Sequence, residues 1–283
     1  MSNEFAGKIA LVAGCARPPG IGHATALRLA RKGATVICVD AVGDQPEGGY
    51  DTGIVTAALL DEVTAEVAAV AAAPIVAVAA DPYDQLSWER AATAVVDRFG
   101  RVDICCALMG TTGPFAGDGD LIDIPLDSWQ RCYDVNVVAP LLLSRTCARA
   151  MAQRGEGGAI VILSSYSAVV PPAGNGAIAS ARAAVNRITE TMAIELAPHQ
   201  IRVNAVQPLS VRSDDARFPN PGLSRLADHE ADSFSTWVRT QVPLGRPQRA
   251  DETAAAVEFL CSDEASFITG VSLTVAGGAH SHS

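Results

Sequence analysis

The sequence predicts a doubly wound α/β domain, a parallel sheet with helices on both faces, and three observations carry that prediction. Seven short apolar runs recur along the 283 residues, each bounded by turn-forming residues. The segments between them carry apolar residues at helical spacing, such as Leu60, Val63, Val67 and Val70, or Ala92, Val96 and Phe99. A glycine cluster from Gly14 to Gly22 stands between the first run and the first helical segment. Strands that alternate with helices are joined by crossovers, and crossovers cover a parallel sheet on both sides.

In chain order the runs are KIALVAG (8–14), ATVICVD (34–40), PIVAVAA (74–80), VDICCAL (102–108), GAIVILS (158–164), IRVNAV (201–206) and VSLTVAG (271–277). Each is nearly all apolar, the pattern of a strand buried on both faces. No repeat, low-complexity tract or linker interrupts the series, so residues 1–283 read as a single domain. Two segments, 41–55 and 207–245, are too long for ordinary connections. Both follow strands and so belong at the carboxyl edge of the sheet, where such folds bind ligands. The first is expected to edge a cofactor site and the second to form a substrate lid.

A net charge of −10 disfavours phosphate backbones and anionic membranes, so neither nucleic acid nor membrane is an expected partner. The opening MSNEFAGK lacks the basic-then-apolar pattern of an export signal. The apolar run from Val67 to Ala80 is broken by Pro74 and is shorter than the roughly 18 residues of a membrane helix. Seven cysteines, with no Cys-x-x-Cys spacing and with Cys38, Cys105 and Cys106 in strand-like runs, read as reduced buried thiols in a cytoplasmic protein. No metal site is expected, since His280 and His282 read as a solvated tail.

The cluster GCARPPGIG follows a strand and opens a helix. Glycines at Gly14, Gly20 and Gly22 let backbone approach a pyrophosphate, and the helix that begins near Ile21 offers free N–H groups and a positive dipole end. Asp40 ends the next strand 18 residues after Gly22, the place of a carboxylate that accepts from ribose hydroxyls and repels a 2′-phosphate. The expected cofactor is therefore NAD, while Arg17 in the loop keeps NADP open.

Through GKIALVAG, AAD with Asp81, SWQRCYDVNVVAP with Asn136, IVILSS with Ser164 and Ser165, TETMAIELAPHQIRVNAVQP and TAAAVEFLCSDEASFITGVSLTVAGG, the sequence resembles the short-chain dehydrogenase/reductase family over almost its whole length. The resemblance implies one Rossmann-type domain with a seven-stranded, mostly parallel sheet. It also implies a homotetramer or dimer assembled through helices around 128–153 and 176–197. In the family's chemistry a hydride passes between nicotinamide and a carbonyl or carbinol carbon. A tyrosine exchanges the proton, a lysine four residues later lowers its pKa and holds the ribose, a serine polarises the oxygen, and an asparagine completes the relay. Asp81 falls at the family's adenine edge, and Gly110 and Pro208 fall in its cofactor-contacting turns.

Counting thirteen residues from Ser165 reaches Ile178, and four more reaches Arg182, so Ile-x-x-x-Arg stands where the family has Tyr-x-x-x-Lys. Isoleucine has no titratable atom and arginine keeps its proton, so the pair cannot relay protons. Arg182 remains a candidate to bond the ribose or an oxyanion. Tyr166, directly after Ser165, is a candidate substitute donor, and water held by Asn136 and Ser165 is another. The glycine loop also carries five residues between Gly14 and Gly20 where the family carries three. Ile178, Leu108, Met109 and Leu209 are expected to line an apolar substrate pocket. Two functions follow: an NAD-dependent oxidoreductase acting on an apolar alcohol or ketone, or a protein that keeps the fold for a binding, sensing or non-redox role.

Overall fold

The computed structural model describes residues 3–44, 53–82, 84–113, 116–209 and 240–279. Its sheet has seven strands: β1 (Ile9–Ala13), β2 (Thr35–Ala41), β3 (Ile75–Ala80), β4 (Ile104–Ala107), β5 (Gly158–Leu163), β6 (Ile201–Pro208) and β7 (Ser272–Val275). They lie in the order β3-β2-β1-β4-β5-β6-β7, and every pairing is parallel, so the sheet is wholly rather than mostly parallel. The chain builds outward from β1 to β3, then crosses back over the sheet to place β4 on the other side of β1. The carboxyl ends of β1 and β4 thus border the crevice where ligands enter folds of this kind.

The five inner strands bury both faces, and the pleat divides their side chains between two cores. Leu11, Ile37, Val39, Cys105, Ile160 and Ile162 face one way. Helices α3 (Ser87–Phe99), α5 (Ala139–Arg154) and α6 (Gly176–Leu196) cover that side with Trp88, Leu143 and Val185 among others. Val12, Val36, Cys38, Cys106 and Val161 face the other way. There α1 (Ile21–Arg31), α2 (Ala57–Val70) and a helix over Ala250–Cys261, α7, contribute Leu29, Val63 and Leu260. All seven cysteines are buried free thiols. No helix among the described residues is long and apolar enough to cross a membrane.

Helix α4 (Leu126–Tyr133) runs into α5 through a π-helical turn, Asp134–Val138. Pro140 lacks the N–H that would bond the carbonyl of Asn136 in an α-helix, which favours such a local rewinding. The side chain of Asn136 bonds the helical ladder there, its Nδ2 donating to the buried Cys132 carbonyl at 2.8 Å. The segment proposed as a lid falls largely on residues 210–239, outside the described residues, and so do His280 and His282.

Candidate active site

The crevice between β1 and β4 is built around positions that leave no room for a side chain. Gly14 has φ of +79°, and a Cβ there would lie 2.7 Å from the backbone of Leu108 and Met109. At Gly22 a Cβ would lie 2.1 Å from the Gly14 carbonyl. Within the loop the Gly20 N–H donates to the Arg17 carbonyl at 2.5 Å, folding Pro18 and Pro19 into a tight turn. That turn delivers Gly20 to the start of α1. Ile21 anchors that first turn against the core beneath.

Asp40 is buried at the carboxyl end of β2, accepting from the Ala16 N–H at 2.7 Å and from the Ala41 N–H at 2.8 Å. Burial raises its pKa, while the two backbone bonds and the nearby Arg17 charge pull it back. Asp81 is exposed just beyond β3, its main chain tied to Ser87 by bonds of 3.0 and 2.8 Å. The structure thus brings Gly14, Arg17, Gly20, Gly22 and Asp40 to one edge of the crevice, with Asp81 one residue past the end of β3, the strand that pairs with β2. These residues fit a dinucleotide: a cradle that any Cβ would fill, a helix amino terminus, and a carboxylate at the end of β2.

The sequence reading puts Ile178 and Arg182 in the other half of the site. Arg182 is buried on α6, and its guanidinium donates to the Leu163 carbonyl and, at 3.4 Å, to the Met109 carbonyl. It thereby ties the carboxyl ends of β4 and β5 together. Burial lowers its pKa to about 10, so it stays cationic at neutral pH. Gly110 makes the room for it, since a Cβ there would lie 2.1 Å from an Arg182 nitrogen. Ile178, one turn earlier, packs with Cys132, Ala177 and Ala181 in a small separate cluster. Leu108 and Met109, expected to line a pocket, instead point into the two cores on either side of the sheet. A residue that follows a fully buried strand continues its pleat, and that decides their direction.

Asn136 has no exposed surface. Its Nδ2 donates to the carbonyls of Cys132 and Thr111, and its Oδ1 accepts from the Thr111 N–H at 3.2 Å. Every polar group of that side chain is committed to holding the wall of the site. Ser164 is likewise internal, its hydroxyl reaching Asn186 at 2.7 Å and tying β5 to α6. Ser165 and Tyr166 are half-buried, at the start of a 3₁₀ turn over Tyr166–Ala168. The Ser165 oxygen accepts from the Ser167 N–H at 3.2 Å and from the Ser167 hydroxyl at 2.9 Å. Ser167 was not singled out by sequence reasoning, although Ser-x-Ser before a short helical turn is a capping pattern. Pro208 closes β6 and is buried, and the Leu209 N–H bonds Val275 beyond it.

A family model described as enoyl-(acyl carrier protein) reductase matches residues 14–280. "Dehydrogenase/reductase SDR family member 4" of Bos taurus is 34% identical over 284 residues, covering 99% of this chain and 90% of that protein. This chain belongs to the short-chain dehydrogenase/reductase family. It is also similar to trans-4-hydroxycyclohexanecarboxylate dehydrogenase of Sinomonas cyclohexanicum, 32% identical over 279 residues, covering 98% of this chain and 95% of that one. Among solved structures, carveol dehydrogenase from Mycobacterium avium in complex with NAD matches with a TM-score of 0.83 and 30% identity, over 98% of this chain and 99% of that one. The Rossmann-type fold read from the sequence is thus the family's own.

Proposed function

We propose that this family member is an NAD-dependent oxidoreductase that interconverts an apolar secondary alcohol and its ketone, with the proton moved by Ser165 instead of a tyrosine. The observation that carries the reading is an intact dinucleotide cradle, Gly14, Gly20, Gly22 and Asp40, beside a serine hydroxyl whose oxygen already accepts two hydrogen bonds. A bound nicotinamide would supply or take the hydride. Similarity to carveol dehydrogenase in complex with NAD and to an alicyclic alcohol dehydrogenase supports both the cofactor and the substrate class. Exposed Val169 and Val170, after the turn that carries Ser165, and Leu121 against Gly176 offer an apolar rim for such a ring.

With its lone pairs engaged by Ser167, Ser165 has its own proton to give. In the reductive direction the substrate oxygen gains charge, takes the Ser165 proton, and Ser165 is reprotonated by the Ser167 hydroxyl and that in turn by water. Arg182 adds a fixed positive charge behind the site and holds its floor through Met109 and Leu163. A serine is a far weaker acid than the family's lysine-assisted tyrosine. General acid–base catalysis contributes about 10²–10⁴-fold, so turnover should lie at roughly 0.001–0.1 s⁻¹ instead of about 10 s⁻¹.

Calorimetric titration with NAD(H) and NADP(H) tests the cofactor. NAD(H) should bind more tightly, and Asp40→Ala should weaken it by roughly ten- to a hundredfold, the value of one or two hydrogen bonds to a charged group. Equal affinities that survive Asp40→Ala would overturn the role of Asp40. Failure of both cofactors to bind would favour the non-redox function.

A further inference from the structure

At the amino-terminal edge of the sheet, opposite the dinucleotide crevice, lies a cavity of about 420 Å³ whose lining includes Asp103, Glu156, Arg202 and Cys261. The Cys261 sulfur, at the end of α7, lies 3.6 Å from that of Cys106 in β4. The Arg202 guanidinium straddles this cysteine, donating to the carbonyls of Leu260 at 2.7 Å and Ser262 at 3.0 Å. Of the carboxylates around the cavity, Asp103 is taken by Arg101, Arg154 and the Ile9 N–H, and Glu156 by Arg154. Asp263 acts on Arg202 together with Cys261. A cysteine that lines a cavity beside a cation and is backed by a second thiol is placed to react with an oxidant that enters there.

We propose that Cys261 and Cys106 form a peroxide-reactive pair in which Cys261 is oxidised by a peroxide that enters the cavity and Cys106 resolves it. The Cys261 thiolate attacks a hydroperoxide oxygen, the O–O bond breaks, and Cys261 becomes a sulfenic acid as hydroxide or alkoxide leaves. Cys106 sulfur then displaces the sulfenic oxygen, water departs with the Cys106 proton, and a disulfide joins β4 to α7. Overall two thiols are oxidised by two electrons and the peroxide is reduced by two. The sulfurs must close from 3.6 Å to about 2.05 Å, within reach of side-chain rotation and a small shift of the end of α7.

The other thiols supply an internal control. Cys15 with Cys38, and Cys105 with Cys147, also form neighbouring pairs and are buried like Cys106 and Cys261, but none of the four lines this cavity. The hydrogen bond between Cys106 and Cys261 and burial both raise the Cys106 pKa, and of the two only Cys261 lines the cavity. Folded protein treated with stoichiometric hydrogen peroxide, quenched and digested without reductant, should lose two of its seven thiols and yield one cross-link, Cys106 to Cys261. Cys106→Ser should accumulate a dimedone adduct on Cys261, and Cys261→Ser should oxidise at least tenfold more slowly. Loss of no thiols from the folded wild type, a cross-link at another pair, or equal oxidation of Cys261→Ser would each overturn the proposal, and the wild-type map decides even where a variant fails to fold.

Discussion

At the scale of single residues, the site is defined by what Arg182 does with its five donors. A lysine has a mobile ammonium, whereas the guanidinium spans two strand ends and occupies space that only glycine leaves at position 110. Gly110→Ala should push Arg182 off its carbonyls and lower stability by about 2–4 kcal/mol, the scale of a buried charge losing its bonds, as read by urea denaturation. The same crowding bears on rescue. Ile178→Tyr together with Arg182→Lys should raise reductase activity on generic apolar ketones, at least tenfold, in a steady-state NADH assay; no gain in a folded variant with NADH bound would place the reacting carbon away from residue 178. Asp40 gives a pH signature. Burial raises its pKa above the ordinary 3.8, so on acidification the folded protein takes up this proton before the unfolded chain does. Its contribution to folding stability is therefore largest at low pH and is lost as pH rises through the folded value. Cofactor binding needs the carboxylate and runs the other way: NAD affinity should fall on acidification at a pH above the ordinary carboxylate range, and Asp40→Asn should flatten that dependence in calorimetric titrations.

The elements themselves were legible from the sequence, and the reason is physical. Each of the seven apolar runs is a strand: the five inner ones are buried almost throughout and read as apolar runs for that reason, while the edge strands β3 and β7 stay partly exposed. The dinucleotide edge was legible for a similar reason: glycines at Gly14 and Gly22 are required by backbone contacts that no other residue survives. The π-helical turn was not, since a period of 3.6 runs through α4 and α5 and only Pro140 marks the break. Nor was the direction of Leu108 and Met109, which depends on where β4 ends. Asn136, read as part of a relay, turned out to hold that turn with its whole amide. Asn136→Ala would remove the buried bonds to the Cys132 and Thr111 carbonyls and should destabilise the protein by roughly 2–4 kcal/mol, with the midpoint of urea unfolding as the measure. Asn136→Asp, which keeps the acceptor and removes the donors, should recover only part of that loss.

On the scale of the whole molecule, the parallel sheet and its switch between β1 and β4 set the cofactor crevice at one edge, and the described cavity with Cys261 opens at the other. The family fold is kept throughout, and the residues proposed to move the proton gather at the carboxyl ends of β4 and β5 and the start of α6. What the sequence could not convey is how the displaced groups rearrange, because that depends on the packing of Arg182 against Gly110 and on the bond between Ser165 and Ser167. The competing proton source is Tyr166, which shares the turn with both serines. The most direct test is therefore a hydride-transfer assay with NAD+ and a panel of alicyclic secondary alcohols, run on the wild type, Ser165→Ala and Tyr166→Phe. The account predicts slow NADH formation by the wild type, at roughly 0.001–0.1 s⁻¹. Ser165→Ala should lower that by about 10²–10³-fold with NAD affinity unchanged, and Tyr166→Phe should stay within about threefold, which is under 1 kcal/mol. A wild type that binds NAD yet forms no NADH with any of these alcohols, or a Ser165→Ala variant that retains the full rate, would contradict it.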